Sequence, residues 1–105
     1  MLDEPRSGDL IAFMPPGISR PWLKRAIGNP GDANSMLSGQ LYINGSAVEE
    51  PYVAIENNAL PGDVQERVIP NGMLFVLGDN RDRSRDSRHF GFIPIENVIG
   101  KVTGT

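Results

Sequence analysis

Short apolar runs, each cut off by Pro, Gly or Asn within a few residues, set the pattern of this chain. Asp9-Leu10-Ile11-Ala12-Phe13 is such a run, stopped by Met14-Pro15-Pro16-Gly17. It predicts a buried strand ending in a turn, because proline cannot donate to a sheet ladder. Trp22 to Ile27 predicts a second strand, closed by the turn formers Gly28-Asn29-Pro30-Gly31-Asp32. Gln40-Leu41-Tyr42-Ile43 runs into Asn44-Gly45, a pair suited to a type I′ hairpin because both central residues need positive φ. Ser46-Ala47-Val48 is then the return strand. Residues Glu49 to Pro61 are mixed and polar and predict a loop, with one extended piece at Tyr52-Val53-Ala54-Ile55. Glu66 to Ile69 and Met73 to Leu77 are further strands, on either side of Pro70-Asn71-Gly72. The stretch Gly78 to Arg88 holds too many charges and turn formers for a regular element. Pro94 to Asn97 predicts a single helical turn, and Val98 to Val102 a closing strand. The fold class that follows is mainly β: a small antiparallel β-barrel or folded sheet with long loops.

Composition narrows this picture. Twelve Gly and nine Pro punctuate the chain as in an all-β protein of short strands. A length of 105 residues predicts one domain over residues 1–105, with one small core. A net charge of −3 provides no global attraction to nucleic acid or anionic lipid. The absence of cysteine removes disulfides, thiol catalysis and cysteine-based metal sites, and leaves the redox compartment open. No apolar run approaches the ~18 residues that span a bilayer, and no signal-peptide pattern opens the chain, so it is expected to be soluble as it stands.

Two segments carry candidate chemistry. The first is Leu23-Lys24-Arg25-Ala26-Ile27-Gly28-Asn29-Pro30-Gly31-Asp32. A Lys-Arg pair near a strand end is usually two solvated charges. Period-2 alternation, however, puts Lys24 on the face opposite Leu23 and Arg25, so one of the two cations can face inward. The second is Gly78-Asp79-Asn80-Arg81-Asp82-Arg83-Ser84-Arg85-Asp86-Ser87-Arg88. It has the look of an Arg/Ser nucleic-acid tract, but Asp79, Asp82 and Asp86 cancel much of the positive field. Leu74-Phe75-Val76-Leu77 before it and Phe90-Gly91-Phe92-Ile93-Pro94 after it also fasten it to a core, whereas Arg/Ser tracts are disordered. No nucleic-acid partner is expected. The one histidine, His89, has Ser84, Asp86 and Ser87 close in sequence, yet a Ser/His/Asp triad is assembled by the fold and not by sequence neighbours. Metal-ligand spacing is absent, and Glu49-Glu50 reads as solvated loop, so neither a metal nor a cofactor is expected.

Taken together, Lys24-Arg25-Ala26-Ile27-Gly28-x-Pro30-Gly31-Asp32, Leu41-Tyr42-Ile43-Asn44-Gly45, Gly78-Asp79-Asn80-Arg81-x-x-Ser84-x-Asp86-Ser87-Arg88 and Gly91-Phe92-Ile93-Pro94 resemble bacterial signal peptidase I in order and spacing. Gly8-Asp9-Leu10-Ile11-Ala12-Phe13 matches a further upstream segment of that family, so the resemblance runs from about Gly8 to Lys101. It implies a serine endopeptidase with a Ser/Lys dyad, in which a neutral lysine amine takes the proton of the attacking serine hydroxyl. That lysine falls on Lys24, whose pKa must lie well below the free value of ~10.4, and desolvation is the physical route. The resemblance assigns to Ser84 the hydrogen bond that orients Lys24. It assigns ion-pairing support to Arg25, Asp79, Asp86 and Arg88, and places Leu23 in a pocket for small substrate side chains. The implied substrates are signal-peptide-bearing preproteins. The implied location is the extracytoplasmic face of the bacterial cytoplasmic membrane, in a membrane-anchored parent.

Departures from the family pattern are equally specific. The family nucleophile lies in a Ser-Met-x-Pro motif, upstream of the Gly-Asp segment and downstream of a membrane anchor, and neither pattern occurs before Gly8. Ser35-Met36-Leu37-Ser38 has Ser38 where the motif has Pro, and it follows Lys24, so Ser35 and Ser38 are expected at a strand edge or turn. Ser7, Ser19, Ser46 and Ser87 have no motif support. Asn29 stands where the family usually has an apolar residue. The expectation is a chain that bears the general base without its nucleophile or oxyanion donors, inactive alone and prone to self-association through an exposed groove. A pseudo-enzyme or binding module on the same scaffold is the alternative, and a Ser/Lys self-cleaving repressor domain fits the hairpin and the Gly-Asp-Asn-Arg loop less well.

Overall fold

A computed structural model describes residues 5–50, 63–79 and 85–102. Its strands are β1 (Leu10–Phe13), β2 (Trp22–Ala26), β3 (Ala33–Leu37), β4 (Gln40–Ile43), β5 (Ser46–Ala47), β6 (Val64–Val68), β7 (Met73–Leu74), β8 (Val76–Leu77), β9 (Ile93–Pro94) and β10 (Val98–Lys101). One helical turn, α1 (Ser87–Phe90), and a 3-10 turn at Ile95–Asn97 complete the described elements. One sheet runs in the order β10-β1-β2-β8, a second in the order β5-β4-β3-β6, and β7 pairs with β9. Every pairing is antiparallel and neither sheet closes into a barrel, so of the two expected architectures the open, folded sheet is the one observed.

The packing explains the unbroken apolar run Met73 to Leu77. Met73, Phe75 and Leu77 face one cluster, with Ile27, Met36, Leu41 and Ile69. Leu74 and Val76 face the other, with Ile11, Phe13 and Ile93. A segment buried on both faces has no polar alternate positions. There are therefore two apolar clusters where one small core was expected, and this segment belongs to both.

Two elements differ from expectation. β3 is a full strand where only a strand edge or turn was expected at Ser35 and Ser38; its turn to β4 is Ser38-Gly39, with φ of 50° and 83°, the same positive-φ pair that Asn44-Gly45 makes at 52° and 81° between β4 and β5. Serine is a weaker type I′ signal than asparagine, so this hairpin is less legible. Helix α1 forms inside and just beyond the charged stretch because Asp86 caps it: its carboxylate accepts from Arg88 N at 3.1 Å, and His89 Nδ1 accepts from Asp86 N at 3.3 Å. The extended piece expected at Tyr52-Val53-Ala54-Ile55 lies outside the described residues.

Candidate active site

Strand β2 carries Trp22, Leu23, Lys24 and Arg25 through the middle of the first sheet. Alternation along it separates the two cations. Lys24 shares its face with Trp22, and its Nζ stands 5.6 Å from the centre of the Trp22 ring. The Trp22 ring in turn meets Phe90 of α1, with centroids 6.2 Å apart. Partial burial lowers the Lys24 pKa; the carboxylate of Asp86 opposes this and the guanidinium of Arg88 adds to it. The amine is thus biased toward its neutral form by loss of water, the first requirement of a lysine base.

Arg25, on the opposite face, donates from Nε and Nη2 to the two oxygens of Asp79 at 3.2 and 2.7 Å, and from Nη1 to Gly8 O at 3.2 Å. This two-pronged contact ties the residue after Gly78 to β2. Asp86 is fully buried. Burial would raise its pKa, but bonds from Arg88 Nε and Nη2, both at 2.9 Å, and from Gly78 N at 3.1 Å hold it below the ordinary carboxylate value. Ser87 Oγ accepts from Val76 N at 2.8 Å. Asp86 and Ser87 therefore staple α1 to the end of β8, which sets α1 beside Lys24.

The structure thus brings Lys24, Arg25, Asp79, Asp86 and Arg88 to one region, and Leu23 borders it, more than half exposed. Ser84 lies outside the described residues. Leu23 lines an open cleft of about 340 Å³ with Arg20, Trp22, Lys24 and Arg85. A second cleft of about 280 Å³ lies beside it, walled by Pro15, Ile18, Trp22, Phe90 and Phe92 among others. Pairing of β2 with β8 is confined to Arg25↔Leu77 and Ala26↔Val76, whereas β1 pairs with β2 from Trp22 to Arg25. Among the described residues, Trp22 and Leu23 have a strand partner on the β1 side only. Trp22, with Leu23, Ala26 and Ile27, is apolar material near Lys24 in the sequence, and the structure sets its ring beside the amine; sequence reasoning missed Ser87 as a buried staple. The usual capping-box signal could not reveal the Asp86 cap, because His89 stands where Glu or Gln is expected.

The remaining serines are placed elsewhere. Ser35 is in β3 and Ser38 in the turn after it, both in the second sheet. Ser7 Oγ accepts from Gly28 N at 2.7 Å, and Ser19 and Ser46 are exposed on the β1–β2 connection and on β5. Among the described residues no group of three or more His, Asp or Glu is gathered closely enough to hold a metal ion.

Comparison with known proteins decides the family. Residues 1–105 match the family described as signal peptidase, peptidase S26. The chain belongs to this family. The signal peptidase I of Bacillus caldolyticus is 45% identical over 108 residues, covering 92% of this chain and 59% of that protein. That of Leptolyngbya laminosa is 36% identical, covering 93% of this chain and 51% of that protein. This member of the signal peptidase family therefore spans between half and three-fifths of the length of these curated relatives. The crystal structure of a signal peptidase I from Enterococcus faecalis superposes with a TM-score of 0.81 at 36% identity, covering 98% of this chain and all of that one. The β architecture of the family is thus shared along nearly the whole chain.

Proposed function

We propose that this chain carries the general base of a serine endopeptidase that removes signal peptides from exported proteins, and that Lys24 is that base. The observation that carries the reading is the setting of the Lys24 amine, half-buried against Trp22 with its pKa lowered by burial. Homologues named signal peptidase I support the substrate class. A substrate extended along β2 at Trp22 and Leu23 would bring its scissile carbonyl beside the amine, and Leu23 would then wall a pocket for a small side chain. In the acylation step the serine O–H proton passes to Nζ as the oxygen bonds the carbonyl carbon. The ammonium then returns a proton to the leaving amine as the C–N bond breaks, and water repeats the sequence on the ester.

Ser84 would orient the amine. Arg25, Asp79, Asp86 and Arg88 would hold β2, the Gly78-Asp79 corner and α1 in register around it. We assign the nucleophile to a Ser-Met-x-Pro segment upstream in a membrane-anchored parent acting on the extracytoplasmic face. Ser7 and Ser87 support this by being engaged with backbone amides, and Ser35 and Ser38 by lying in the other sheet. Among the described residues no helix is long and apolar enough to cross a membrane.

Cleavage of a fluorogenic signal-peptide substrate tests the reading on three proteins: the 105-residue chain, a longer chain restoring the upstream segment, and its Lys24→Ala variant. The short chain should be inactive and the longer one active, with Lys24→Ala lowering kcat by a factor on the order of 10⁴ or more. In the longer chain kcat/KM should fall as the pH drops through the Lys24 pKa, which lies below 10.5, because an ammonium cannot accept the serine proton. Activity in the short chain or in the Lys24 variant would overturn the assignment.

A further inference from the structure

Arg20 and Arg85 come from distant parts of the chain, the β1–β2 connection and the approach to α1, yet they border the same cleft beside Leu23 and Lys24. Two arginines thus share one cleft in a chain of net charge −3, and no carboxylate stands among its described lining residues. Neighbouring cations are compensated: Arg25 by Asp79, Arg88 by Asp86 and Lys101 by Asp9. Arg20 and Arg85 are exposed and have no ion pair among the described residues. Exposed arginines are ordinarily just solvated. Here two of them border one cleft, where like charges repel and an anion relieves the repulsion. A guanidinium pair also fits the planar, two-oxygen geometry of a carboxylate better than that of any neutral group.

We propose that Arg20 and Arg85 form a specificity subsite for an acidic side chain of the peptide bound along β2. The proposal rests on the peptide-site reading above and adds a charge preference to it. A peptide is the occupant because the cleft opens at Trp22 and Leu23, where the strand partner among the described residues is on the β1 side only. An extended peptide there presents every second side chain to the same wall, so one Glu or Asp in the right register would face the cleft that Arg20 and Arg85 border.

Trp22 is the sole tryptophan and lines the cleft, so its fluorescence reports occupancy directly. Two series of eight-residue peptides would be titrated into the 105-residue chain, identical apart from a Glu or a Gln moved through the central positions. At the best position the Glu peptide should bind roughly fivefold more tightly than its Gln twin in low salt. The ratio should fall toward one in high salt and in the Arg20→Gln/Arg85→Gln double variant. Equal binding of both peptides at every position overturns the subsite while leaving the peptide site standing. A Glu preference that survives the double variant overturns the assignment to these arginines. Binding of neither peptide overturns the subsite and the peptide site together. Arginine-dependent binding of anionic phosphatidylglycerol vesicles, with no Glu preference, overturns the subsite in favour of a lipid headgroup.

Discussion

Gly28 shows how closely single residues are specified where the two sheets meet. Its φ is +74°, and a Cβ there would lie 2.5 Å from Asn34 Oδ1 and 2.9 Å from Ile69 Cδ1. Asn34 is buried and donates from Nδ2 to Ile27 O at 2.8 Å, so it cannot move aside without leaving that carbonyl unbonded. Gly45 has a similar φ of +81° but open space around it. Gly45→Ala therefore meets only the left-handed backbone penalty, about 1 kcal/mol. Gly28→Ala adds overpacking to that penalty and should cost about 2–4 kcal/mol. Chemical denaturation of the two variants checks this, and equal losses would show that the Gly28 corner relaxes freely.

At the level of elements, the charged stretch is fastened in two ways. Asp86 and Ser87 bond the end of β8, through Gly78 N and Val76 N. Asp79 grips Arg25 on β2, in a pair whose side chains are 34% and 16% exposed. The second link crosses directly to the strand that carries Lys24. Asp79→Ala should destabilise the fold by about 1–2 kcal/mol, above the typical surface pair because Arg25 loses a two-pronged partner. Glu66→Ala, on the exposed face of β6, should change stability by less than about 0.5 kcal/mol. Melting temperatures of the two variants measure the difference, and equal small shifts would show Asp79 to be a solvated charge.

For the molecule as a whole, the Met73–Leu77 segment joins the two apolar clusters, since its alternate side chains serve each in turn. Neither cluster can lose this segment without the other losing its wall. We expect a single cooperative unfolding transition for the chain. Trp22, packed against the cluster of Ile11 and Phe13, should report the same midpoint as far-ultraviolet circular dichroism, which is weighted across both sheets. Phe75→Ala, in the other cluster, should cost about 3–5 kcal/mol and move the Trp22 transition by the same amount. A Trp22 midpoint unmoved by that change would mean two independently folding units.

Much of the fold is local and so was legible in the residues. The Asn44-Gly45 turn, the Pro-stopped run before β2 and the apolar run at Met73–Leu77 are each decided by backbone preference or alternation within a few positions. The resemblance to the signal peptidase family likewise implied that Lys24, Arg25, Asp79, Asp86 and Arg88 belong to one group. What adjacency in sequence does not encode is which distant groups come together after folding. Lys24 shares a face with Trp22 by strand alternation, which the sequence carries, but it comes near Asp86 and Arg88 only because Asp86 and Ser87 bond the end of β8. The cap on α1 escaped notice because a histidine replaces the customary carboxamide or carboxylate partner. That Arg20 and Arg85 border one cleft belongs to the tertiary structure alone: charge composition counts cations, and only chain folding decides which of them stand together.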